Sequence, residues 1–288
     1  MAKLKSKKIE KVDFQEYLNS YSDFSFELRV LKLLRDRGLE CQHGGHYRDP
    51  VTGISREFDI RLIAEFSDYR VRLPIECKNI RENFPLLVSC VPRRDSESFN
   101  EAAIMSDYKP KGVDEMITLD PFRSRATVHT LRGENSIYKA PKPVGKSTAQ
   151  VGRSQGQDNS IISNDSEIYD KWSQCLASAD ELIKDMYRDM PVNSDNCFGA
   201  VFPFLVVPNG RLWRVLYRDD GSLYKEPEQT DRCSFFIDKE YNMKDFPGGG
   251  PAPFRISHLE IVTVAGLESF VDDYLMSHDS MLKLFGAE

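Results

Sequence analysis

The sequence predicts a mixed α/β fold in which a central mixed sheet is flanked by helices. Apolar residues recur at helical spacing over residues 14–37 and again over residues 165–189. Between these segments, residues 57–78 alternate apolar and charged side chains, as the two strands of a hairpin do. A short apolar run at residues 200–207 is typical of a buried strand. This order of elements favours helices packed on a sheet.

Composition excludes several classes of protein. The 288 residues carry a formal net charge of −6, which argues against a histone-like protein but leaves room for a local basic patch. The six cysteines form no CxxC pair, so the pattern disfavours a zinc site or a disulfide framework and favours the reducing cytoplasm. No stretch approaches the roughly 20 apolar residues of a membrane span. The basic N-terminus lacks the apolar run of a signal peptide.

The first predicted helix, residues 14–37, ends at Gly38, a residue type that suits the position after a helix C-terminus. Glu27 lies among the apolar positions of this helix, one turn before Leu31. Considered alone, Glu27 is an ordinary surface carboxylate. It gains interest because the hairpin that follows needs a third acidic group.

Residues 39–47 predict a strand that contains His43 and His46, and residues 49–53 predict a turn. The spacing of the two histidines is poor for a zinc site, and no cysteine accompanies them. We therefore interpret both as loop or strand-edge residues.

The hairpin at residues 57–78 places two carboxylates face to face. With a two-residue turn at Ser67–Asp68, Asp59 lies directly opposite Glu76, with Cβ atoms about 5 Å apart. The period of two adds Lys78 to the same face. Facing carboxylates repel each other, and a bound Mg²⁺ ion removes the conflict. The lysine can then orient a water molecule or stabilise charge on a phosphate.

Two details of the hairpin leave alternatives open. Pro74 lies in the second strand, where it predicts an edge strand or a bulge. Glu57 shares the face of Asp59 by the same alternation and is a rival for its role. An exposed ion-pair cluster of Asp59, Glu76 and Lys78, without chemistry, is the structural alternative.

An inward glutamate on a helix, followed by strands that carry an aspartate and then Glu-x-Lys, resembles the PD-(D/E)xK nuclease superfamily. The resemblance covers residues 20–80 best, and it departs from the usual Pro-Asp because Phe58 precedes the aspartate. It implies a restriction-endonuclease-like αβββαβ core, here with a long insertion after the third strand. The matching residues are Glu27, Asp59, Glu76, Cys77 and Lys78.

The resemblance implies an endonuclease that hydrolyses DNA with Mg²⁺, which Mn²⁺ can replace, and leaves a 5′-phosphate and a 3′-hydroxyl. Asp59, Glu76 and the backbone carbonyl of Cys77 would hold the metal. Glu27 would hold it through water or serve a second ion, and Lys78 would orient the attacking water. Because two strands need two sites, a homodimer is expected.

Several alternatives stay open at this point. An inactive nucleic-acid-binding or scaffolding protein of the same fold is the main one. The sequence does not decide between DNA and RNA, or between roles in restriction, repair and defence.

Residues 83–164 show few strand signals and several prolines, so we interpret them as a basic, partly flexible insertion. Residues 13–82 and 165–288 then form the core of a single domain. Between residues 121 and 153, seven basic residues accompany one acid, a balance that suits phosphate recognition. A solvated loop is the alternative.

Within that segment, residues 142–153 resemble a loop leading into a helix, whose first N–H groups can hold a phosphate. The spacing of a P-loop is missing. Gln150 is similar to a glutamine that some members of the superfamily carry after Glu-x-Lys. The predicted nucleic-acid-binding residues are Lys142, Lys146, Gln150 and Arg153.

The C-terminal part predicts a second hairpin from residues 200–207 and 211–217. Residues 225–253 are expected to be irregular. Residues 259–264 predict a last strand, and residues 267–284 predict a closing amphipathic helix.

Overall fold

The structure is a computed structural model that describes residues 7–105, 113–118, 126–154, 159–190, 197–242 and 253–286. Short 3₁₀ turns lie at Asp95–Glu97, Gly133–Asn135 and Lys283–Phe285. The helices are α1 (Lys11–Ser20), α2 (Phe24–Asp36), α3 (Ser166–Arg188), α4 (Val264–Tyr274) and α5 (His278–Leu282). The strands are β1 (Glu40–Arg48), β2 (Ser55–Glu65), β3 (Tyr69–Cys77), β4 (Leu86–Pro92), β5 (Phe99–Met105), β6 (Val113–Thr118), β7 (Ala126–Arg132), β8 (Pro143–Arg153), β9 (Ile161–Asn164), β10 (Cys197–Val201), β11 (Phe204–Val207), β12 (Leu212–Tyr217), β13 (Leu223–Gln229), β14 (Arg232–Tyr241) and β15 (Phe254–Thr263).

The strands form one large mixed sheet, in the order β13-β12-β4-β8-β14-β15-β11-β3-β10-β5-β7-β6. β2 also pairs with β3, β1 with β2, and β9 with β8. Parallel pairs such as β11–β15 lie beside antiparallel pairs such as β14–β15. The predicted mixed α/β class, with a mixed sheet and helices packed on it, is confirmed.

The part of the fold around β3 has a simple connectivity. Helix α2 leads into β1, β2 and β3, which form an antiparallel series. After α3, the chain enters β10 and β11, and both strands run parallel to β3 along different parts of its length. Strand β3 is therefore central, with neighbours on both sides.

The two faces of the sheet carry different helices. Successive residues of a strand point to opposite faces. On β15, Leu259 and Ile261 share a core with Cys175 of α3, whereas Val262 shares a core with Phe270 of α4. Helices α3 and α4 thus pack on opposite faces of the sheet.

The expectation that Pro74 marks an edge strand or a bulge is wrong. Pro74 pairs in regular register with Arg61, in the interior of the sheet. The strand on the other side is interrupted at this level, because β10 ends opposite Arg72 and β11 begins opposite Ile75. The missing N–H of proline therefore meets a gap between two strands.

The expectation of few strands in residues 83–164 is also wrong, because this segment supplies β4 to β9 of the sheet. Its strands pair with partners distant in sequence, such as β4 with β12 and β5 with β10. Residues 142–153 form the strand β8, not a loop that leads into a helix.

Three further boundaries differ from the sequence prediction. Residues 14–37 belong to two helices, and Asp23 between them accepts a hydrogen bond from the backbone N–H of Asn79 at 2.7 Å. β12 pairs with β4 and β13, so no hairpin joins residues 200–207 to it. Residues 225–253 contain much of β13 and β14.

The closing helix is divided as well, because the Ser277 side chain caps α5 by accepting a hydrogen bond from the Ser280 N–H at 3.1 Å. Predicted helix 165–189 and strand 259–264 are confirmed as α3 and as the last part of β15. Within the described residues, no helix combines the length and the apolar character that crossing a membrane requires.

Candidate active site

The predicted hairpin register is confirmed. The pairs run from Glu65 opposite Arg70 to Ile60 opposite Ile75. The N–H of Phe66 donates to the carbonyl of Tyr69 at 3.0 Å, which closes the two-residue turn. Extended by one position, this register sets Asp59 opposite Glu76, and the two side chains interact.

A lysine that the hairpin does not contain lies between the two carboxylates. The Nζ atom of Lys171, on α3, is 2.8 Å from Oδ2 of Asp59 and 3.2 Å from Oε2 of Glu76. Burial disfavours the charged amine, but the nearby charges of Glu76 and Asp59 outweigh it and raise the pKa of Lys171. Lys171 is therefore the cation that the facing carboxylates require.

Glu76 is the most deeply buried acid of the group, with a side chain only 1% exposed. Burial, and then the charge of Asp59, raise its pKa well above the usual range, while Lys171 opposes the shift. Asp59 is anchored differently, since its Oδ2 also accepts the backbone N–H of Cys77 at 2.8 Å. The two acids thus occupy unlike environments around one cation.

Glu27 approaches the same group from α2. Burial raises its pKa, and the charge of Asp59 raises it further, while Lys171 and His43 act in the opposite direction. Its Oε2 is 3.5 Å from Nε2 of His43 on β1. Glu27 therefore lies within electrostatic reach of Asp59 and Lys171, and Asp59 lies within reach of Glu76.

Lys78 lies close by but makes other contacts. Its Nζ atom is 3.2 Å from Oδ2 of Asp23 and 3.2 Å from Oε2 of Glu167. Asp23 precedes α2 and Glu167 lies in the first turn of α3. Lys78 thus connects the end of β3 to both helices, while Lys171 contacts the acid pair.

Two other residues of the hairpin lie outside the acid group. The thiol of Cys77 is fully buried in the core, and this burial raises its pKa. Glu57 has a side chain 78% exposed and lies 3.4 Å from Nε2 of His46. The geometry therefore favours Asp59 over Glu57 as the partner of Glu76.

The predicted nucleic-acid-binding residues lie in unlike environments. Lys146 on β8 binds Glu97 at 2.7 Å, and its ammonium lies 4.4 Å from the ring centre of Phe236. Gln150 is buried, and its amide donates to the carbonyl of Phe84 at 3.1 Å.

Of the other two, Arg153 is exposed and donates to the carbonyl of Asn159 at 3.1 Å. Lys142 is exposed, directly precedes β8 and lines a cavity. Arg123 and Arg125, which contribute to the basic count of this segment, lie outside the described residues.

Sequence reasoning missed Lys171, although a signal for it is present. Ile168 and Cys175 are buried positions of α3, and Lys171 lies three residues after the first and four before the second. These spacings put it on the buried face of the helix. A charged residue at such a position needs a buried partner.

The acid group meets the chemical requirements of a metal site only in part. Carboxylate oxygens are the ligands that Mg²⁺ prefers, and Asp59 and Glu76 already share one cation. Among the residues that the structure describes, however, no three His, Cys, Asp or Glu side chains converge into a ready-made metal site. The donor types fit a divalent cation, and Lys171 now holds the position between them.

No protein-family model matches this chain, and comparison with curated proteins and with solved structures found no match either.

Proposed function

We propose that this protein is a metal-dependent endonuclease that hydrolyses phosphodiester bonds of DNA. The observation that carries the proposal is the pair Asp59 and Glu76. Two carboxylates occupy facing positions on neighbouring strands and share one cation, with a third acid, Glu27, in electrostatic reach. A sheet normally avoids such a pair, so a site that works with positive charge explains its presence.

The connectivity around β3 supports the same class. When β4 to β9 are left out, the order α2-β1-β2-β3-α3-β10 has the element types of an αβββαβ core, with β10 parallel to β3. In this proposal the strands β4 to β9 are an insertion between β3 and α3. The acid pair then lies where members of the PD-(D/E)xK superfamily carry theirs.

The chain's own groups would hold the metal as follows. Asp59, Glu76 and the carbonyl of Cys77 would bind it directly, and Glu27 would act through water. When bound, Mg²⁺ lowers the pKa of a coordinated water and neutralises charge on the phosphate. The low exposure of Glu76 keeps bulk water from screening that charge.

Lys171 takes the role that the sequence pattern gives to Lys78. Its ammonium lies against both carboxylates, so it remains beside any phosphate that approaches them, and it stabilises the negative charge that develops there. Lys78, held by Asp23 and Glu167, fixes α3 against the end of β3.

A cleavage assay tests the proposal. Plasmid, linear duplex and single-stranded DNA, and RNA, are incubated with the protein and Mg²⁺ or Mn²⁺, and the product ends are identified. We expect DNA cleavage with 5′-phosphate ends, reduced at least about 100-fold by Asp59→Asn and by Glu76→Gln. Glu57→Gln, an equivalent change at an exposed acid of the same strand, is expected to keep full activity.

Folding of each variant is checked by circular dichroism, so that loss of activity is not loss of structure. Cleavage by the Glu76→Gln protein at the rate of the unchanged protein contradicts the proposal. Dependence on Lys78 without dependence on Lys171 contradicts the role given to Lys171.

A second function has one observation in its favour. Because Lys171 already neutralises the acid pair, the cluster is also what a nucleic-acid-binding protein without catalysis would show. Saturable DNA binding, together with no cleavage of DNA or RNA under either metal, would favour this second function.

A further inference from the structure

A cavity of about 380 Å³ lies beside α4 and is rich in positive charge. Its lining includes four cationic side chains, and none of the described residues that line it is acidic. The volume lies within the range of small-molecule sites, roughly 300 to 1,000 Å³. The cations are Arg93, Lys142, Arg214 and Arg232.

Two of these cations have acidic partners outside the cavity lining. Arg232 forms a bidentate pair with Glu260, at 2.8 and 2.9 Å. Arg214 binds Glu228 at 2.7 Å. These arginines are therefore held rigidly, with their positions set by carboxylates behind the cavity wall.

The positive charge of Arg93, by contrast, has no carboxylate partner among the hydrogen bonds of the described residues. Arg93 is only 4% exposed, and its Nη1 donates to the carbonyl of Lys139 at 3.0 Å. Its Nε is buried and has no hydrogen-bond partner among the described residues. A buried donor without a partner is costly, and Arg93 lines the cavity, so its guanidinium brings positive charge there that few groups of the protein compensate.

We propose that this cavity binds the phosphate group of a small ligand, either inorganic phosphate or a nucleoside monophosphate. Arginine matches phosphate oxygens with its planar donors, and Lys142 adds a point charge at the rim. An adjoining cavity of about 290 Å³ shares Ile137, Lys142 and Tyr274 with the first. It gives room and partly apolar walls for a nucleoside beyond the phosphate.

This site is separate from the acid pair. In the register of β11, Leu205 lies beside Glu76, and Leu205 belongs to the core that α3 covers. Glu260, which holds Arg232, lies beside Phe204, and Phe204 belongs to the core that α4 covers. Arg232 and the acid pair therefore lie on opposite faces of the sheet, and no residue of the acid pair lines the cavity.

Isothermal titration calorimetry tests the proposal, with the full chain, EDTA and constant ionic strength. The probes are inorganic phosphate and adenosine 5′-monophosphate, with chloride as the blank. We expect saturable binding that falls at least about 10-fold in Lys142→Gln and in Arg93→Lys, which keeps the charge but loses the planar donors. Arg188→Gln, at an exposed arginine of α3, is the matched control and is expected to bind as the unchanged protein does.

Tighter binding of the monophosphate than of phosphate would identify a phosphomonoester as the ligand, and equal binding would identify free phosphate. Absence of saturable binding by both probes would overturn the proposal. So would unchanged affinity in both variants, because Lys142→Gln lies at the exposed rim and is expected to fold. Binding lost in Glu76→Gln but kept in Lys142→Gln would place the phosphate at the other site and equally overturn it.

Discussion

At the scale of single residues, the facing carboxylates can be predicted from a local sequence pattern, whereas the lysine between them cannot. Asp59 and Glu76 belong to a local hairpin, so alternation and turn length suffice to predict that they face each other. Lys171 is about a hundred residues further along the chain, and its contacts depend on how α3 docks on the sheet. Its buried position on the helix is readable from the sequence, whereas its partners are not.

The first prediction concerns the Lys171→Met protein. Without the ammonium, the repulsion between the two facing carboxylates is no longer compensated. We therefore expect the free energy of unfolding at pH 8 to fall by about 3 kcal/mol. Because Lys171 lowers the pKa of Glu76, its removal raises that pKa further. An acid whose pKa is raised on folding contributes stability below its unfolded pKa, and this contribution is lost as pH rises through the folded pKa.

The loss in the free energy of unfolding of the Lys171→Met protein is therefore expected to be small near pH 4.5 and to grow toward pH 8. Urea unfolding across this range measures it. Lys184→Met is the control, since Lys184 pairs with Asp180 one turn away on the same helix, and it is expected to lose under about 1 kcal/mol. An equal deficit at both ends of the pH range would contradict the account.

At the scale of elements, local patterns predict helices and hairpins better than distant strand pairs. α3 has a continuous apolar stripe and β2–β3 a short turn, and both are found where the sequence predicts them. Strand β13 is mostly exposed and contains Pro227, so it shows neither a buried run nor clean alternation. β12 is held by β4, from more than a hundred residues earlier, and no local signal carries that pairing.

The second prediction concerns the start of α4, which docks closely on the segment before β14. A Cβ atom at Gly266 would lie 1.9 Å from the backbone carbonyl oxygen of Asp231. That oxygen also accepts the N–H of Thr263 at 3.0 Å, so it cannot move away freely. We expect Gly266→Ala to shift α4 and to lower the free energy of unfolding by about 3 kcal/mol.

Gly38→Ala is the comparison, because Gly38 has φ +75° and its Cβ would meet no atom within 4 Å. The only cost of Gly38→Ala is that alanine must adopt a left-handed backbone conformation, which lowers the free energy of unfolding by about 1 kcal/mol. Chemical denaturation of both variants measures the difference. A Gly266→Ala protein as stable as Gly38→Ala would show that α4 is not docked as described.

At the scale of the whole molecule, the fold carries two chemically different sites that share no residue. The acid pair and its lysine lie under α3, whereas Arg232 of the cationic cavity lies on the face that α4 covers. A net charge of −6 conceals this division, because the positive side chains are concentrated locally. The basic segment that the sequence singles out is likewise divided, with Lys146 neutralised by Glu97 and Lys142 at the cavity.

The central claim is that Asp59 and Glu76 hold a divalent cation. Mn²⁺ titration followed by electron paramagnetic resonance tests it directly, with the unchanged protein, Glu76→Gln and the exposed control Glu57→Gln. The account predicts saturable Mn²⁺ binding that Glu57→Gln retains and that Glu76→Gln weakens at least about 10-fold. Equal Mn²⁺ affinity in all three proteins, or no binding to any of them, would contradict it.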